Sequence, residues 1–129
     1  MSSVADVMIN DAVEVVNRFF SAWARQDLKT VIGIFSENAV YSASQGPEPG
    51  KTYRGRQEIE PAVRVMFDAA GDTTLNLVAI YPFDGGATAT WDVSGKDANG
   101  QSVAVLGIDV FLVQNGHITL KDAYRKVKS

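Results

Sequence analysis

Residues 103–113 read VAVLGIDVFLV, a run that is apolar apart from Gly107 and a single carboxylate, Asp109. Alternate positions of a strand face opposite sides of its sheet. Val103, Val105, Gly107, Asp109, Phe111 and Val113 therefore share one face, and Ala104, Leu106, Ile108, Val110 and Leu112 share the other. Both faces are apolar, so both need cover: helices on one side, and on the other a second subunit, because an uncovered face would be a large hydrophobic patch. A homodimer through the outer face of the sheet is the expectation. The acid set into this run is the most informative residue in the chain.

The segments flanking this run are also extended. Residues 74–83, 87–94 and 117–127 are separated from one another and from the central run by Asp84-Gly85-Gly86, Asp97-Ala98-Asn99-Gly100 and Asn115-Gly116. Asp-Gly and Asn-Gly between apolar runs are strong hairpin signals, so four antiparallel strands form a meander. The first half of the chain is helical in period. Val13, Val16, Phe20 and Trp23, with Phe19, make one buried stripe, while Glu14, Arg18, Ser21 and Arg25 face outward. Asp11 with Glu14 reads as a cap at the start of that helix, leaving residues 1–9 as a short leader, either separate from the helix or continuing it. Asp27 caps a second helix over 28–35. A strand is expected at 38–44, and residues 45–50, with two prolines and two glycines, form a loop that overhangs the cavity. A third helix follows with Ile59, Val63, Met66, Phe67 and Ala70 inward, starting just before Pro61 and closed by Gly71. The plan is α+β: one domain over 1–129, with three helices packed on a curved, mostly antiparallel sheet that closes into a cone-like barrel around an internal pocket.

Composition narrows the function. The 129 residues carry a formal net charge of -3 with no basic stripe, so nucleic acid is not the expected partner. With no cysteine and one histidine, neither a thiolate site nor a zinc site can be assembled, and no metal or cofactor is expected. No apolar run approaches the ~20 residues of a membrane span, and no signal segment opens the chain, so a cytoplasmic protein is expected.

The order of elements, together with Arg18-Phe19, Phe35-Ser36-Glu37-Asn38-Ala39, Tyr53-Arg54-Gly55-Arg56-Gln57-Glu58-Ile59, Ile108-Asp109-Val110-Phe111 and Asn115-Gly116-His117-Ile118, resembles the nuclear transport factor 2-like superfamily, in its ketosteroid isomerase and SnoaL-like branch. The resemblance runs over residues 13–127. It implies the fold more firmly than the activity. In the steroid isomerases a protonated aspartic acid and a tyrosine form the oxyanion hole and a second aspartate moves the proton. The resemblance puts the first acid on Asp109, the tyrosine on Phe19 and the base on Ala43. Two of the three groups are thus without their chemistry, and a base alone supplies ~10² to 10⁴-fold. Ketosteroid isomerisation is not expected. The limonene epoxide hydrolase-like arrangement also fails, since its final acid falls near Ala123 with Asp122 on the opposite face.

Two readings of Asp109 compete. In one it is an acid or hydrogen-bond anchor, its pKa raised by desolvation. In the other it is paired with a buried arginine such as Arg64 or Arg18, or lies near solvent. Phe19, Trp23, Met66 and Phe67 would wall an apolar pocket, Ala43 and Gly107 would leave space, and Trp91, Phe111 and Tyr124 complete the candidate ligand-binding set. His117 reads as an exposed turn residue and Asp92 as a solvated one. The expected function is a pocket for a small, largely apolar carbonyl or polycyclic molecule, with isomerase-, cyclase- or dehydratase-like chemistry. The competing expectation is a binding or interaction module without catalysis, consistent with Phe19 and Ala43.

Overall fold

The central run becomes strand β5 (Ser102–Gln114), and the sheet is laid down on both sides of it in a computed structural model that describes residues 4–47 and 49–126. In chain order the elements are α1 (Val4–Ala24), α2 (Leu28–Ile34), β1 (Phe35–Ser42), β2 (Thr52–Arg54), α3 (Gly55–Ala70), β3 (Asp72–Phe83), β4 (Gly86–Lys96), β5 and β6 (His117–Lys126). The six strands form one sheet in the order β2-β1-β6-β5-β4-β3, with three helices packed against it. The α+β class is as expected. The sheet is open, with β2 and β3 as its edges, and does not close into a barrel.

The meander β3 to β6 is antiparallel, and its turns follow the local chemistry. Asn115 and Gly116 both have positive φ, 53° and 75°, which a two-residue turn matched to strand twist requires. The short strand β2 adds an antiparallel edge that the loop composition of this region concealed. β1 joins β6 in parallel, Tyr41 opposite Lys121 and Ser42 opposite Asp122. Bulges in β3 near Val78 and in β6 at Thr119 bend the sheet.

The helices differ from expectation at their starts. α1 begins at Val4, so the leader continues into the helix, and Asp11 lies inside the helix rather than capping it; residues 1–3 lie outside the described ones. α3 begins at Gly55, so Pro61 sits within it. Pro61 is exposed, and the Gln57 carbonyl left without its N–H partner is on the solvent side, where water can satisfy it. The start of α3 is fastened twice: Glu58 Oε1 accepts the Arg54 N–H at 2.9 Å, and Arg56 donates Nε and Nη2 to the Phe35 carbonyl at 3.0 and 2.7 Å. Asp27 caps α2 as expected, accepting the Thr30 N–H at 3.2 Å and the Thr30 hydroxyl at 2.7 Å.

The core lies between helices and sheet around Phe19. Its ring centroid is 5.4 Å from Phe35, 5.5 Å from Phe111, 5.6 Å from Trp23 and 6.0 Å from Phe20. Such pairs add ~0.5–1.5 kcal/mol each beyond their buried area.

Candidate functional site

Towards one end of the helix–sheet interface the packing leaves a partly open cavity of about 320 Å³. α1 supplies Phe19, Phe20 and Trp23, α3 supplies Met66 and Phe67, and the inner face of the sheet supplies Trp91, Asp109, Lys121, Ala123 and Arg125. Ser44 and Gln45, from the loop after β1, also line it. That loop is pinned across its base, Ala43 N–H to the Lys51 carbonyl at 2.9 Å and Lys51 N–H to the Gln45 carbonyl at 3.2 Å.

Asp109 and Lys121 form the polar end of the cavity. They are 2% and 5% exposed, and Lys121 Nζ lies 3.5 Å from Asp109 Oδ2. The ammonium also sits 4.2 Å from the Tyr41 ring centroid and 5.2 Å from that of Trp23, in a box with one carboxylate and two aromatic faces. Tyr41 in turn directs its hydroxyl to Met66 Sδ at 3.6 Å. Burial pushes the Asp109 carboxyl above its ordinary range, and the charge of Lys121 opposes this only in part. Burial acts to lower the pKa of Lys121, but the Asp109 carboxylate outweighs it and holds the ammonium above its usual value. Among the described residues Asp109 Oδ1 has no close hydrogen-bond partner, and neither do the buried Trp91 Nε1 and Arg125 Nε, although the Trp91 indole N–H neighbours the Asp109 carboxyl and acts to lower its pKa.

The partner of Asp109 is thus a lysine, and neither arginine weighed from the sequence is near it. Arg64 pairs with Glu60 at 3.6 Å on the exposed side of α3, and Arg18 is exposed. Lys121 escapes a simple reading of alternation because Thr119 is the extra residue of a bulge. Ile118 pairs with Val113 and Leu120 with Leu112, so the phase flips and Ile118 and Lys121 share the inner face. A lysine between a leucine and an aspartate gives no sign of this.

Of the candidate residues, Phe19, Trp23, Met66, Phe67, Trp91 and Asp109 come together around the cavity. Four others lie elsewhere. Phe111 is fully buried in the aromatic core against Phe19 and Phe20. Ala43 is buried beside the cavity, which is lined instead by its neighbours Ser44 and Gln45. The space expected over Gly107 is filled by its cross-strand partner: a Cβ there would overlap the Trp91 indole. Tyr124 is on the outer face, 55% exposed, donating its hydroxyl to Asp122 Oδ2 at 2.9 Å. His117 is exposed, with Nδ1 3.0 Å from the Asn115 carbonyl oxygen. Among the described residues no group of three or more His, Cys, Asp or Glu could hold a metal ion, and no helix is long and apolar enough to cross a membrane.

A helix layer over an open, bulged sheet, with an apolar cavity ending on a buried charge pair, defines a class of small α+β cavity proteins. The model of the SnoaL-like domain matches residues 16–121, and the chain belongs to that family. No curated protein matches it. Among solved structures, an NTF2-like protein of unknown function from Mesorhizobium loti is 23% identical, with 92% of this chain and 93% of that one covered and a TM-score of 0.77. A candidate polyketide cyclase from Pseudomonas putida is 22% identical over 90% and 92% of the two chains, TM-score 0.74. A candidate ketosteroid isomerase from Kribbella flavida is 12% identical over 98% and 84%, TM-score 0.76. At these identities the likeness is one of fold.

Proposed function

We propose that the cavity binds a small, largely apolar molecule and presents its carbonyl or hydroxyl group to the Asp109–Lys121 pair for proton transfer, the chemistry of an isomerase, cyclase or dehydratase. The observation that carries this reading is the buried Asp109–Lys121 pair at the end of an apolar cavity: Oδ2 is held by Lys121, and Oδ1 has no close hydrogen bond among the described residues, with the Trp91 indole as its neighbouring donor. An unpartnered buried carboxylate oxygen is costly unless something else uses it. Lys121 can donate to a substrate oxygen while Asp109, its pKa raised, exchanges a proton at the neighbouring atom. The aromatic wall supplies apolar contact and excludes water from the pair. Phe19 and Ala43 mean that this pair, rather than a tyrosine and a separate aspartate, would have to handle the proton.

The test is deuterium exchange of 2-tetralone, a ketone with acidic α-hydrogens, followed by NMR in heavy water. The protein is expected to accelerate exchange, and Asp109→Asn to reduce the acceleration by ~10² or more. Binding of the ketone without accelerated exchange would support the second reading, a non-catalytic binding module, which the absence of a hydroxyl at Phe19 favours. The outer face of the sheet we assign to a second copy of the chain: Leu106, 57% exposed, lies there with Ile108, Leu112 and Tyr124 in one apolar surface.

A further inference from the structure

The inner face of β6 carries a second cation. Lys121, Ala123 and Arg125 follow one another on that face and all line the cavity, so the backbone positions of the two cations are about 13 Å apart along the strand. Lys121 is at the buried end; Arg125 is only partly buried. Ala123 between them leaves a low floor. The Trp91 indole, seated over Gly107, flanks it, because Gly107 is the residue opposite both Trp91 and Arg125.

The charges at the two ends are not balanced alike. Lys121 has Asp109 at 3.5 Å, whereas among the described residues Arg125 has no carboxylate within ion-pairing distance. Its Nε is buried without a hydrogen-bond partner. Asp97 also lines the cavity, but its Oδ1 accepts the Asn99 and Gln101 N–H groups at 2.9 and 3.0 Å and so serves the turn between β4 and β5. A guanidinium with its buried Nε unpartnered and no ion pair among the described residues, facing a largely apolar cavity, is a receptor for a carboxylate, which it can bind through two parallel hydrogen bonds.

We propose that the ligand is a flat, apolar carboxylic acid with a carbonyl or hydroxyl group at its far end: the carboxylate on Arg125, the body over Ala123 and beside Trp91, the far oxygen at Asp109 and Lys121. This rests on the small-molecule reading of the cavity and adds the ligand's charge and length. The cavity volume is at the lower end of those that hold small molecules, which suits a two-ring compound.

The test uses 6-hydroxy-2-naphthoic acid and its methyl ester, titrated calorimetrically into the full chain. The acid is expected to bind at least tenfold more tightly than the ester, and Arg125→Gln to remove roughly that tenfold for the acid while leaving the ester unchanged, as loss of one charge-assisted contact predicts. Arg125→Lys, which keeps the charge without the fork, should fall between. On the unmutated protein, raising salt from 50 to 500 mM should weaken the acid and leave the ester alone, a readout that survives if the variants fail to fold. Equal binding of acid and ester, or unchanged binding of the acid to folded Arg125→Gln, overturns the proposal and leaves the cavity reading intact. Binding of neither overturns both.

Discussion

Asp109 and Lys121 are each buried in a setting that neither charge could occupy alone. Removing one partner from such a pair leaves the other desolvated and uncompensated, at a cost of ~3–5 kcal/mol, whereas replacing both by uncharged groups of similar size is often close to neutral. Asp109→Asn and Lys121→Met are each expected to lose stability of that order in urea unfolding, and the double variant to recover most of it. The pH dependence has a definite sign. Because the folded pKa of Asp109 is raised above its ordinary value of 3.8, the unfolded chain releases the proton first as pH rises. The contribution is fully present below pH 3.8 and is lost as pH rises through the folded pKa, since the folded state then holds more protons than the unfolded one. Melting temperatures measured across that window should fall with pH in the native protein, and that fall should be absent in Asp109→Asn.

Strands are where the sequence was most and least legible. The hairpin signals placed all four meander strands, because Asp-Gly and Asn-Gly need positive φ that few other pairs supply, and the apolar runs between them had no helical period. Asp109 was legible for a similar reason: a lone acid in an apolar strand has few explanations. Lys121 and Arg125 were hidden because their inward direction depends on the bulge at Thr119, a backbone irregularity that residue types do not announce. The three-residue β2 was hidden because it borrows its order from β1. Gly107, expected to leave space in the pocket, is instead covered by the Trp91 ring from the neighbouring strand, which its sequence neighbours do not announce. Gly107→Ala is therefore expected to cost ~1–3 kcal/mol by overpacking, and to shift tryptophan emission as the indole is displaced; an unaltered spectrum and midpoint would mean that the ring is not seated there.

For the molecule as a whole, the two sides of the sheet have opposite needs: the inner one encloses the cavity, and the outer one carries an apolar surface that none of the described residues covers. If a second copy covers it, the association should bury of order 1,200–2,000 Å². Sedimentation of the native protein is expected to give twice the chain mass at micromolar concentration, and Leu106→Lys, which places a charge at the centre of the patch, to give a monomer. A native protein that stays monomeric under those conditions excludes this assembly.

The parallel pairing of β1 with β6 also sets the order of events during folding. It joins Phe35–Ser42 to His117–Lys126, so about eighty residues of chain must be looped out before the contact can form. Pairings of such long range slow folding, since the entropy of closure is lost before any native contact repays it. Lys121 and Arg125 lie on β6, which the Asn115-Gly116 turn pairs locally with β5, so the Asp109–Lys121 end of the cavity can form within that hairpin. Tyr41, on β1, reaches the ammonium only when the long-range pairing closes, and a chain caught before that step would hold the charge pair without one of its aromatic faces.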